Sequence, residues 1–539
     1  MKRLCLSSLL LASVSLLHAQ APAAKATKVT HAAVKAAVPS GTIGTLDGGE
    51  WTTYNGDYTG RRYSPLTKLT PLNVKNLQLA WTMRITANTG GAKRISATPL
   101  SINGVLYFTV PSHAWAVDAR TGKQLWQFDW PSKGGEVIGN RGGAVKGDTF
   151  YFETEDCNLV ALDIKTGKEK WHSSIGNPDQ FYFGSVAPVI VGNHVMVGMS
   201  GDDFDIPGYI EAHDATTGAR EWRFYTHPEP GTPEAKTWPN DEAMTHGGGM
   251  TWVAGTYDPE LNLYYFGTGN AQPVIAGSKR PGDNLFTGTI CAINPDTGKL
   301  VWYFQPNPHD THDWDAVQTP VLIDGIVDGK PRKLLAQASR NGWYFLIDRT
   351  NGKVIKSTPF SWQNWTLGVK DNGQPIVNPE KQAKPNGVIA MPAQGGAANW
   401  FPPSYSPKTG LFYVLASDSA SIYYLFDTSD KPEGWAGNDR FGMQKNYVRA
   451  LDYRTGKTKW EHLWPSSGAR SGILTTASNL LFTGDTTSNL VAFNAATGQI
   501  LWHAGLGGPV TNGPITFELD GLQYVVAAAG DTMYAFVLR

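Results

Sequence analysis

The chain has 539 residues, of which 41% are hydrophobic and 17% charged, and its 46 Lys and Arg balance 46 Asp and Glu. This balance leaves no basic surface for nucleic acid and no acidic block of the kind found in disordered tails. Small molecules or other proteins are therefore the expected partners.

The first twenty residues have the layout of a secretory signal peptide, in which Lys2 and Arg3 precede an apolar run that ends in small residues. Residues 21–45 are rich in Ala, Lys and Thr and predict a flexible lead-in. Residues 46–539 are then expected to form a single domain. No later apolar run approaches the roughly 18 residues that a membrane span requires. We therefore expect an exported protein without a membrane span.

Two cysteines, Cys157 and Cys291, remain beyond the signal segment. Two buried unpaired thiols are favoured over a disulfide, although export would permit one. The chain has no C-x-x-C-H motif and so no site for covalent c-type haem. Any electrons that it handles must leave to another protein.

One phrase, AVDARTGKQLW in its first copy, recurs along the chain. Its Asp or Asn opens a turn, its Gly supplies a positive φ angle, and a Trp eight residues after the Asp or Asn packs in the next strand. The Asp or Asn markers stand at 118, 163, 214, 294, 348, 452 and 494, so that they lie 45, 51, 80, 54, 104 and 42 residues apart; the copy at 348, LIDRTNGK, is truncated and lacks the Trp. A period of about 40 to 50 residues is typical of β-propellers.

The two long intervals complete the predicted architecture. The interval of 104 residues predicts a further blade without the phrase around SYSPKTGLFYVLAS, which brings the number of blades to eight. The interval of 80 residues predicts one blade and an insertion from His227 to Asn284. Long insertions on a rigid scaffold commonly carry function. The fold prediction is an all-β, eight-bladed propeller.

From WTTYNGDYTGRRYSPLTKLTPLNVKNLQLAW at Trp51 to its end, the chain resembles the alcohol and methanol dehydrogenases that depend on pyrroloquinoline quinone (PQQ). These are periplasmic eight-bladed propellers with tryptophan-docking repeats. The motifs GNRGGA, FETED, GMSGDD, GGGMTW, GTGN, HDTHDWD, SRNG and AANW follow in the family's order. The resemblance implies oxidation of a primary alcohol, or a similar small alcohol or aldehyde, with transfer of electrons to an external soluble c-type cytochrome. It leaves the oligomeric state open, a homodimer included.

The resemblance also assigns cofactor-binding residues. PQQ is flat and carries three carboxylates, so its site requires a planar platform and cationic groups. Trp252 matches the indole on which the family stacks the quinone, and Arg340 matches the cation beside the reactive carbonyl. The other matching positions are Arg141, Thr154, Ser200, Gly201, Asp202, Asn399 and Trp400.

The loop NPHDTHDWDAVQTP, residues 307–320, holds three aspartates and two histidines. By resemblance Asp313 is the catalytic base, and the metal ligands are Asp203, Asn270, Asp313 and Asp315. Because Asp315 lies two residues after Asp313, both carboxylates face the same side of an extended stretch. Lanthanide-dependent members of the family have a carboxylate at this second position, and added ligand charge favours a cation of higher charge. The resemblance therefore favours a lanthanide over Ca²⁺, with the metal acting as a Lewis acid and Arg340 stabilising the developing oxyanion.

Some positions depart from the family's pattern. The vicinal cysteine pair that covers the quinone in the family falls here at Gly135 and Glu136, and a glutamate contact falls at Ser96. Asp203 stands where Glu is more usual, and Met250 stands where the methanol enzymes have Thr. These changes leave quinone affinity and the identity of the alcohol open.

Four alternatives remain at this stage. His309 and His312 are spaced to bind zinc or iron instead, because imidazole prefers transition metals. Asp315 is alternatively a solvated loop residue. A non-catalytic scaffold of the outer-membrane assembly type would share the repeats without needing the cluster of Asp, Asn and Arg. A quinone-binding sensor would bind the cofactor without turnover.

Overall fold

The computed structural model describes residues 49–86, 94–135, 138–201, 204–466 and 471–538. The predicted signal peptide and lead-in lie outside these ranges, as do Glu136, Asp202 and Asp203. The described residues contain one short α-helix, α1 (Asp241–Thr245), and five 3₁₀ turns: Val74–Asn76, Pro178–Gln180, Glu234–Thr237, Gly277–Lys279 and Pro379–Lys381. Within these ranges no helix has the length and apolar character needed to cross a bilayer.

The remaining elements are short strands joined by turns. The first eighteen are β1 (Tyr63–Ser64), β2 (Leu77–Arg84), β3 (Leu100–Ile102), β4 (Val105–Val110), β5 (His113–Asp118), β6 (Gln124–Asp129), β7 (Gly143–Lys146), β8 (Thr149–Glu153), β9 (Asn158–Asp163), β10 (Glu169–Ser174), β11 (Val189–Val191), β12 (His194–Val197), β13 (Tyr209–Asp214), β14 (Arg220–Tyr225), β15 (Thr256–Asp258), β16 (Leu263–Gly267), β17 (Ile290–Ile293) and β18 (Leu300–Phe304). The others are β19 (Val321–Val327), β20 (Lys330–Ala338), β21 (Trp343–Asp348), β22 (Lys353–Pro359), β23 (Thr366–Val369), β24 (Pro375–Val377), β25 (Val388–Ala390), β26 (Ser404–Ser406), β27 (Leu411–Leu425), β28 (Gly437–Asp452), β29 (Thr458–Leu463), β30 (Leu474–Thr476), β31 (Leu480–Gly484), β32 (Asn489–Asn494), β33 (Ile500–Gly505), β34 (Ile515–Leu519), β35 (Leu522–Ala529) and β36 (Thr532–Leu538).

Across the described ranges these strands form eight sheets of four or five strands and one two-stranded ribbon, β23–β24. Five sheets are antiparallel meanders of consecutive strands: β3–β6, β7–β10, β11–β14, β15–β18 and β19–β22. The sixth joins β25, β27, β28 and β29, with β26 paired to β27. The seventh adds β1, in parallel, to β30–β33, and the eighth joins β2 to β34–β36. This architecture confirms an all-β propeller, and the number of eight blades stays a prediction.

The recurring phrase forms the hairpin between the third and fourth strands of a sheet. In the first copy, the Asp118 carboxylate at the end of β5 accepts hydrogen bonds from the backbone N–H groups of Arg120 (2.9 Å) and Thr121 (3.1 Å). Gly122 follows at φ +70°, where a side chain would be strained. An Asp or Asn therefore marks each copy because its side chain closes the turn.

The tryptophan of the phrase packs on the next sheet. The Trp302 indole N–H donates to the Arg349 carbonyl (2.9 Å), and a Cβ on Gly352 would lie 2.7 Å from the Trp302 ring. In three further copies the Trp indole N–H likewise donates to the backbone carbonyl of the residue that follows the Asp or Asn of the next copy. The donors and acceptors are Trp126 and Ile164 (3.0 Å), Trp222 and Pro295 (2.8 Å), and Trp460 and Ala495 (3.0 Å). Each of these contacts ties one sheet to its neighbour in sequence.

The prediction of an extra blade around SYSPKTGLFYVLAS was wrong. That segment forms β26 and the start of β27, which share a sheet with β28 and β29, the strands of the Ala450 phrase. The interval is long because β27 and β28 have 15 and 16 residues. The sheet without the phrase is instead the one in which Leu77–Arg84 pairs with Thr532–Leu538.

The predicted insertion is divided between two connections. Residues 226–255, with α1, precede β15, and residues 268–289 join β16 to β17. Cys157 and Cys291 are both buried free thiols, which confirms that prediction.

Candidate functional site

The candidate residues meet at one edge of four consecutive sheets. Thr154, Ser200, Asn270 and Arg340 each follow the second strand of a sheet within three residues, after β8, β12, β16 and β20 respectively. In an antiparallel pair the end of the second strand lies beside the start of the first, so segments that lead into a first strand reach the same edge. Arg141 precedes β7, and the loop 307–320 precedes β19 in this way.

Three charged side chains form the centre of the site. Arg340 Nη2 lies 2.8 Å from Asp313 Oδ2, and Arg340 Nη1 lies 2.8 Å from Asp315 Oδ2. Asp315 also accepts hydrogen bonds from the Trp252 indole N–H (3.0 Å) and the Asn270 backbone N–H (2.7 Å). Burial raises the pKa of Asp315, and the Arg340 guanidinium opposes this rise. Because the Asp315 side chain is 0% exposed, the solvated-loop alternative for this residue is wrong.

The loop 307–320 is folded by its first aspartate. The Asp310 carboxylate accepts from the backbone N–H groups of Trp314 (2.9 Å) and His312 (3.2 Å), which closes a turn around Asp313. Asp313 adopts φ +63°, a left-handed conformation that costs roughly 1 kcal/mol outside glycine. The Trp314 indole N–H donates to the Ala393 carbonyl (3.1 Å) and anchors the loop. Of the three aspartates, Asp310 thus shapes the loop, and Asp313 and Asp315 face Arg340.

A flat cation lies against two indoles beside this cluster. The Arg141 guanidinium carbon is 4.6 Å from the Trp252 ring centroid and 4.8 Å from that of Trp400. Arg141 Nη1 donates to Ser185 Oγ (2.6 Å), which lies 2.8 Å from Ser200 Oγ. The structure therefore brings Arg141, Ser200, Trp252 and Trp400 together. Ser185, which was not among the predicted residues, links Arg141 to Ser200.

Other predicted residues have local partners. The Thr154 hydroxyl donates to Asp156 Oδ1 (2.6 Å) and so takes part in a turn, and Asn399 Nδ2 donates to the Gly395 carbonyl (2.9 Å). Gly201 has φ +140°, and a Cβ there would lie 2.7 Å from Ile206 Cδ1.

Three residues of the site were not predicted. The Gln394 side-chain amide donates to Asp313 Oδ2, and the Gln394 carbonyl accepts from Arg340 Nε (3.1 Å). Gln318 Oε1 accepts from the Arg340 backbone N–H (3.1 Å). Ser185 is the third, as described above. Each is a single polar residue outside any motif, and only the proximity of Gln394 to AANW could have drawn attention to it.

The oxygen atoms of the site fit a hard cation. Asn270 Oδ1 is buried and has no hydrogen-bond partner among the described residues. A buried carbonyl oxygen without a donor requires an explanation, and one beside buried carboxylates is suited to a Ca²⁺-like or lanthanide ion. The described residues contain no convergent group of three His, Cys, Asp or Glu side chains, but the predicted ligand Asp203 lies outside them.

The zinc alternative finds no support in the two histidines. One ring nitrogen of His309 lies 2.8 Å from the Gly282 carbonyl, and one of His312 lies 2.9 Å from the Lys381 carbonyl. Among the described residues, no third His, Cys, Asp or Glu side chain converges with these two imidazoles to complete a zinc site.

Two of the positions that depart from the family's pattern, Gly135 and Ser96, have close local contacts in the structure. At Gly135, where the family has a cysteine, a Cβ would lie 2.3 Å from the Glu155 carbonyl oxygen. No side chain therefore fits there in this backbone conformation. Ser96 accepts a hydrogen bond from Arg94 Nε (3.1 Å).

Comparison with known proteins agrees with this geometry. The family model "Glucose/ethanol/alcohol dehydrogenase, beta-propeller domain" matches residues 51–359. The model "Outer membrane protein assembly factor BamB" matches residues 444–537.

Similar relatives extend over most of the chain. Quinoprotein alcohol dehydrogenase PedH of Pseudomonas putida is 38% identical over 514 residues, which cover 87% of this chain and 84% of the relative. Quinohemoprotein alcohol dehydrogenase ADH IIB of Pseudomonas putida is 36% identical, with 94% and 76% covered.

Two solved structures have similar folds. The quinohemoprotein alcohol dehydrogenase of Comamonas testosteroni has a TM-score of 0.84 at 33% identity, with 91% of this chain and 80% of that chain covered. A europium-containing methanol dehydrogenase has a TM-score of 0.81 at 29% identity, with 91% and 98% covered. The sequence resemblance is thereby confirmed. This chain belongs to the PQQ-dependent alcohol dehydrogenase family.

Proposed function

We propose that the chain oxidises a primary alcohol, or a similar small alcohol or aldehyde, using PQQ and one cation held by Asp203, Asn270, Asp313 and Asp315. The observation that carries the proposal is the buried cluster of Asp313, Arg340 and Asp315 beside the Trp252 indole and the unpartnered Asn270 Oδ1. When bound, PQQ supplies the two-electron acceptor, with the cation as its Lewis acid. Electrons then pass to an external soluble c-type cytochrome.

The chain's own residues have distinct roles in this proposal. Asp313 accepts the hydroxyl proton of the alcohol, and Arg340, 2.8 Å away, orients that carboxylate. The Gln394 amide fixes the same carboxylate from another direction. Arg340 also stabilises negative charge that develops beside it. Cofactor binding falls to Trp252, Arg340, Arg141, Thr154, Ser200, Gly201, Asp202, Asn399 and Trp400.

A lanthanide is the proposed cation. Asp315 is fully buried beside Asn270, which supports its proposed role as a ligand that adds negative charge to the site. With Asp203 and Asp313 it supplies a third anionic ligand, and a higher ligand charge favours a cation of higher charge. The europium-containing methanol dehydrogenase with a similar fold supports this choice.

The architecture and location are also part of the proposal. The eight sheets are proposed to be eight blades of one domain, residues 46–539, and the contacts of the repeat tryptophans with the next sheet support this. Residues 1–20 are proposed to be a signal peptide that directs the protein to the periplasm.

The scaffold alternative has one observation in its favour, the match of residues 444–537 to the BamB model. That segment holds two repeat phrases, which a propeller of either function shares. A scaffold gives no reason for two buried carboxylates around Arg340. The enzyme proposal accounts for both the repeats and the cluster.

Reconstitution tests the proposal. Apoprotein is mixed with PQQ and either Ca²⁺ or La³⁺, and dye-linked oxidation of a panel of alcohols is followed. Turnover should be at least about tenfold higher with La³⁺ and should be lost in Asp315→Ala. The exposed Asp371→Ala serves as the matched control and should behave as the wild type. Failure to retain quinone absorbance, together with no turnover with either metal, would leave only the scaffold.

A further inference from the structure

A cavity of about 520 Å³ opens beside the proposed base. It lies between the segment 393–401 and the long hairpin of β27 and β28, and both Arg340 and Gln394 line it. Because Gln394 also bonds to Asp313, the cavity begins at the group that would accept the alcohol proton. A cavity of this size is in the range of small-molecule sites. Because Arg340, Asn399 and Trp400, which are proposed to bind the quinone, also line it, the quinone and the substrate would share this volume.

One wall of this cavity is polar. Ser417, Ser419 and Ser421 alternate along β27, so their side chains share one face of the strand, and all three line the cavity. Ser417 Oγ accepts from Gln444 Nε2 (2.9 Å), and Ser419 Oγ accepts from the Ala393 backbone N–H (3.1 Å). These two hydroxyls are held in place by the protein.

Two further polar atoms of the wall have no such partner. Ser421 and Asn446 line the cavity, and the buried atoms Ser421 Oγ and Asn446 Nδ2 make no hydrogen bond within the described ranges. Ser421 is 1% exposed and Asn446 is 7% exposed. A buried polar atom without a partner costs about 1–3 kcal/mol, so native proteins rarely retain one without a function or a ligand.

The chemistry of the cavity selects an occupant with hydroxyl groups. A hydroxyl donates and accepts, so it satisfies both a serine Oγ and an amide N–H. Aromatic rings of Phe441 and Tyr447 also line the cavity and offer apolar surfaces to the C–H groups of a carbon chain. An alkyl chain without hydroxyls would leave Ser421 and Asn446 unpartnered.

We propose that this cavity binds the hydroxylated tail of a polyol, and that Ser421 and Asn446 determine this specificity. The inference rests on the proposed function, since it names the substrate class of the same site. A site built to bond a substrate hydroxyl rejects the analogue that lacks it far more strongly than an apolar pocket discriminates between chain lengths. The terminal CH₂OH remains the group that is oxidised beside Asp313.

Matched pairs of equal carbon number test this proposal in the wild-type protein reconstituted with PQQ and metal. The pairs are 1-propanol with glycerol, 1-butanol with erythritol, and 1-hexanol with sorbitol. The value of kcat/KM should be at least about tenfold higher for the polyol in at least the longer two pairs. Equal or lower values for both polyols would overturn the inference, while the absence of turnover with every alcohol would overturn the proposed function instead.

Two variants test whether Ser421 and Asn446 cause the preference for polyols. Ser421→Ala and Asn446→Leu should each lower the polyol-to-alcohol ratio of kcat/KM by about tenfold, mainly through KM for the polyol. Ser406→Ala is the matched control, because Ser406 Oγ in β26 is also buried without a partner among the described residues but does not line the cavity. Its ratio should equal that of the wild type. An unchanged ratio in both wall variants would overturn the assignment.

Discussion

Glu153 is a fully buried carboxyl group at the end of β8, one residue before Thr154. Its Oε2 accepts from the Val186 backbone N–H (3.0 Å), while its Oε1 has no hydrogen-bond partner in the part of the chain that the structure describes. Burial raises its pKa to about 8, and the Val186 N–H and the Arg141 guanidinium oppose the rise. Glu153 is therefore mainly a neutral acid in the folded protein at pH 7.

This pKa predicts a pH-dependent stability. Below the unfolded-state pKa of about 4.5 both states hold the proton, and stability does not depend on this group. Between about pH 4.5 and pH 8 the unfolded state loses the proton and the folded state keeps it, so the free energy of unfolding falls as pH rises, by up to about 1.4 kcal/mol per pH unit. Glu153→Gln should remove this contribution and gain stability relative to the wild type across that window.

Urea denaturation at several pH values between about 5 and 8 measures the difference between wild type and Glu153→Gln. Taking the difference cancels the titration of the other groups. The exposed Glu229→Gln is the control and should follow the wild type at every pH. A difference between wild type and Glu153→Gln that does not change with pH would contradict the prediction.

At the scale of the strand and the turn, the repeat phrase was highly informative. It predicted the turn that Asp118 closes and the packing of each tryptophan, because both depend on residues within one short segment. It failed to place the eighth sheet, because a turn motif carries no information about strand length. Nothing in the local pattern distinguishes two long strands, such as β27 and β28, from two short hairpins.

The contact between Trp302 and Gly352 yields a prediction for these elements. Gly352 has φ +77°, and an added Cβ would lie 2.7 Å from the Trp302 ring. Gly329 has φ +73°, and an added Cβ would meet nothing within 4 Å. Both Gly→Ala changes impose the same backbone strain, but only Gly352→Ala overpacks a neighbouring sheet, at a further cost of about 1–3 kcal/mol.

The free energies of unfolding of Gly352→Ala and Gly329→Ala, measured in urea, test this expectation. The difference between the two losses in the free energy of unfolding isolates the cost of the steric overlap with Trp302. Equal losses would show that the tryptophan contact does not constrain the turn.

The site illustrates the same limit of sequence analysis. Asp313, Asp315 and Arg340 lie in motifs shared with the family, so the resemblance was sufficient to predict that they meet. Gln394 and Ser185 contact these motif residues only because the loops of different sheets reach one edge. Their positions depend on tertiary structure, which no single motif encodes.

On the scale of the whole molecule, the fold is closed by residues far apart in sequence. Leu77–Arg84 pairs with Thr532–Leu538, so the first long strand and the last strand share a sheet. The site has the same non-local character, because Trp252, Asn270, Asp315 and Arg340 come from different segments. A ligand that contacts all of these segments therefore links several sheets and should stabilise them together.

Binding of PQQ and La³⁺ should therefore raise the midpoint of thermal unfolding. A ligand that binds only the folded state adds about 2.7 kcal/mol at a concentration of about 100 times its Kd, which corresponds to a few degrees for a chain of this length. Asn270→Ala removes the unpartnered oxygen from the proposed cation site, so the shift caused by La³⁺ should shrink. The exposed Asn438→Ala should keep the full shift. Differential scanning calorimetry with and without a chelator measures these shifts, and an undiminished La³⁺ shift in Asn270→Ala would show that the cation binds elsewhere.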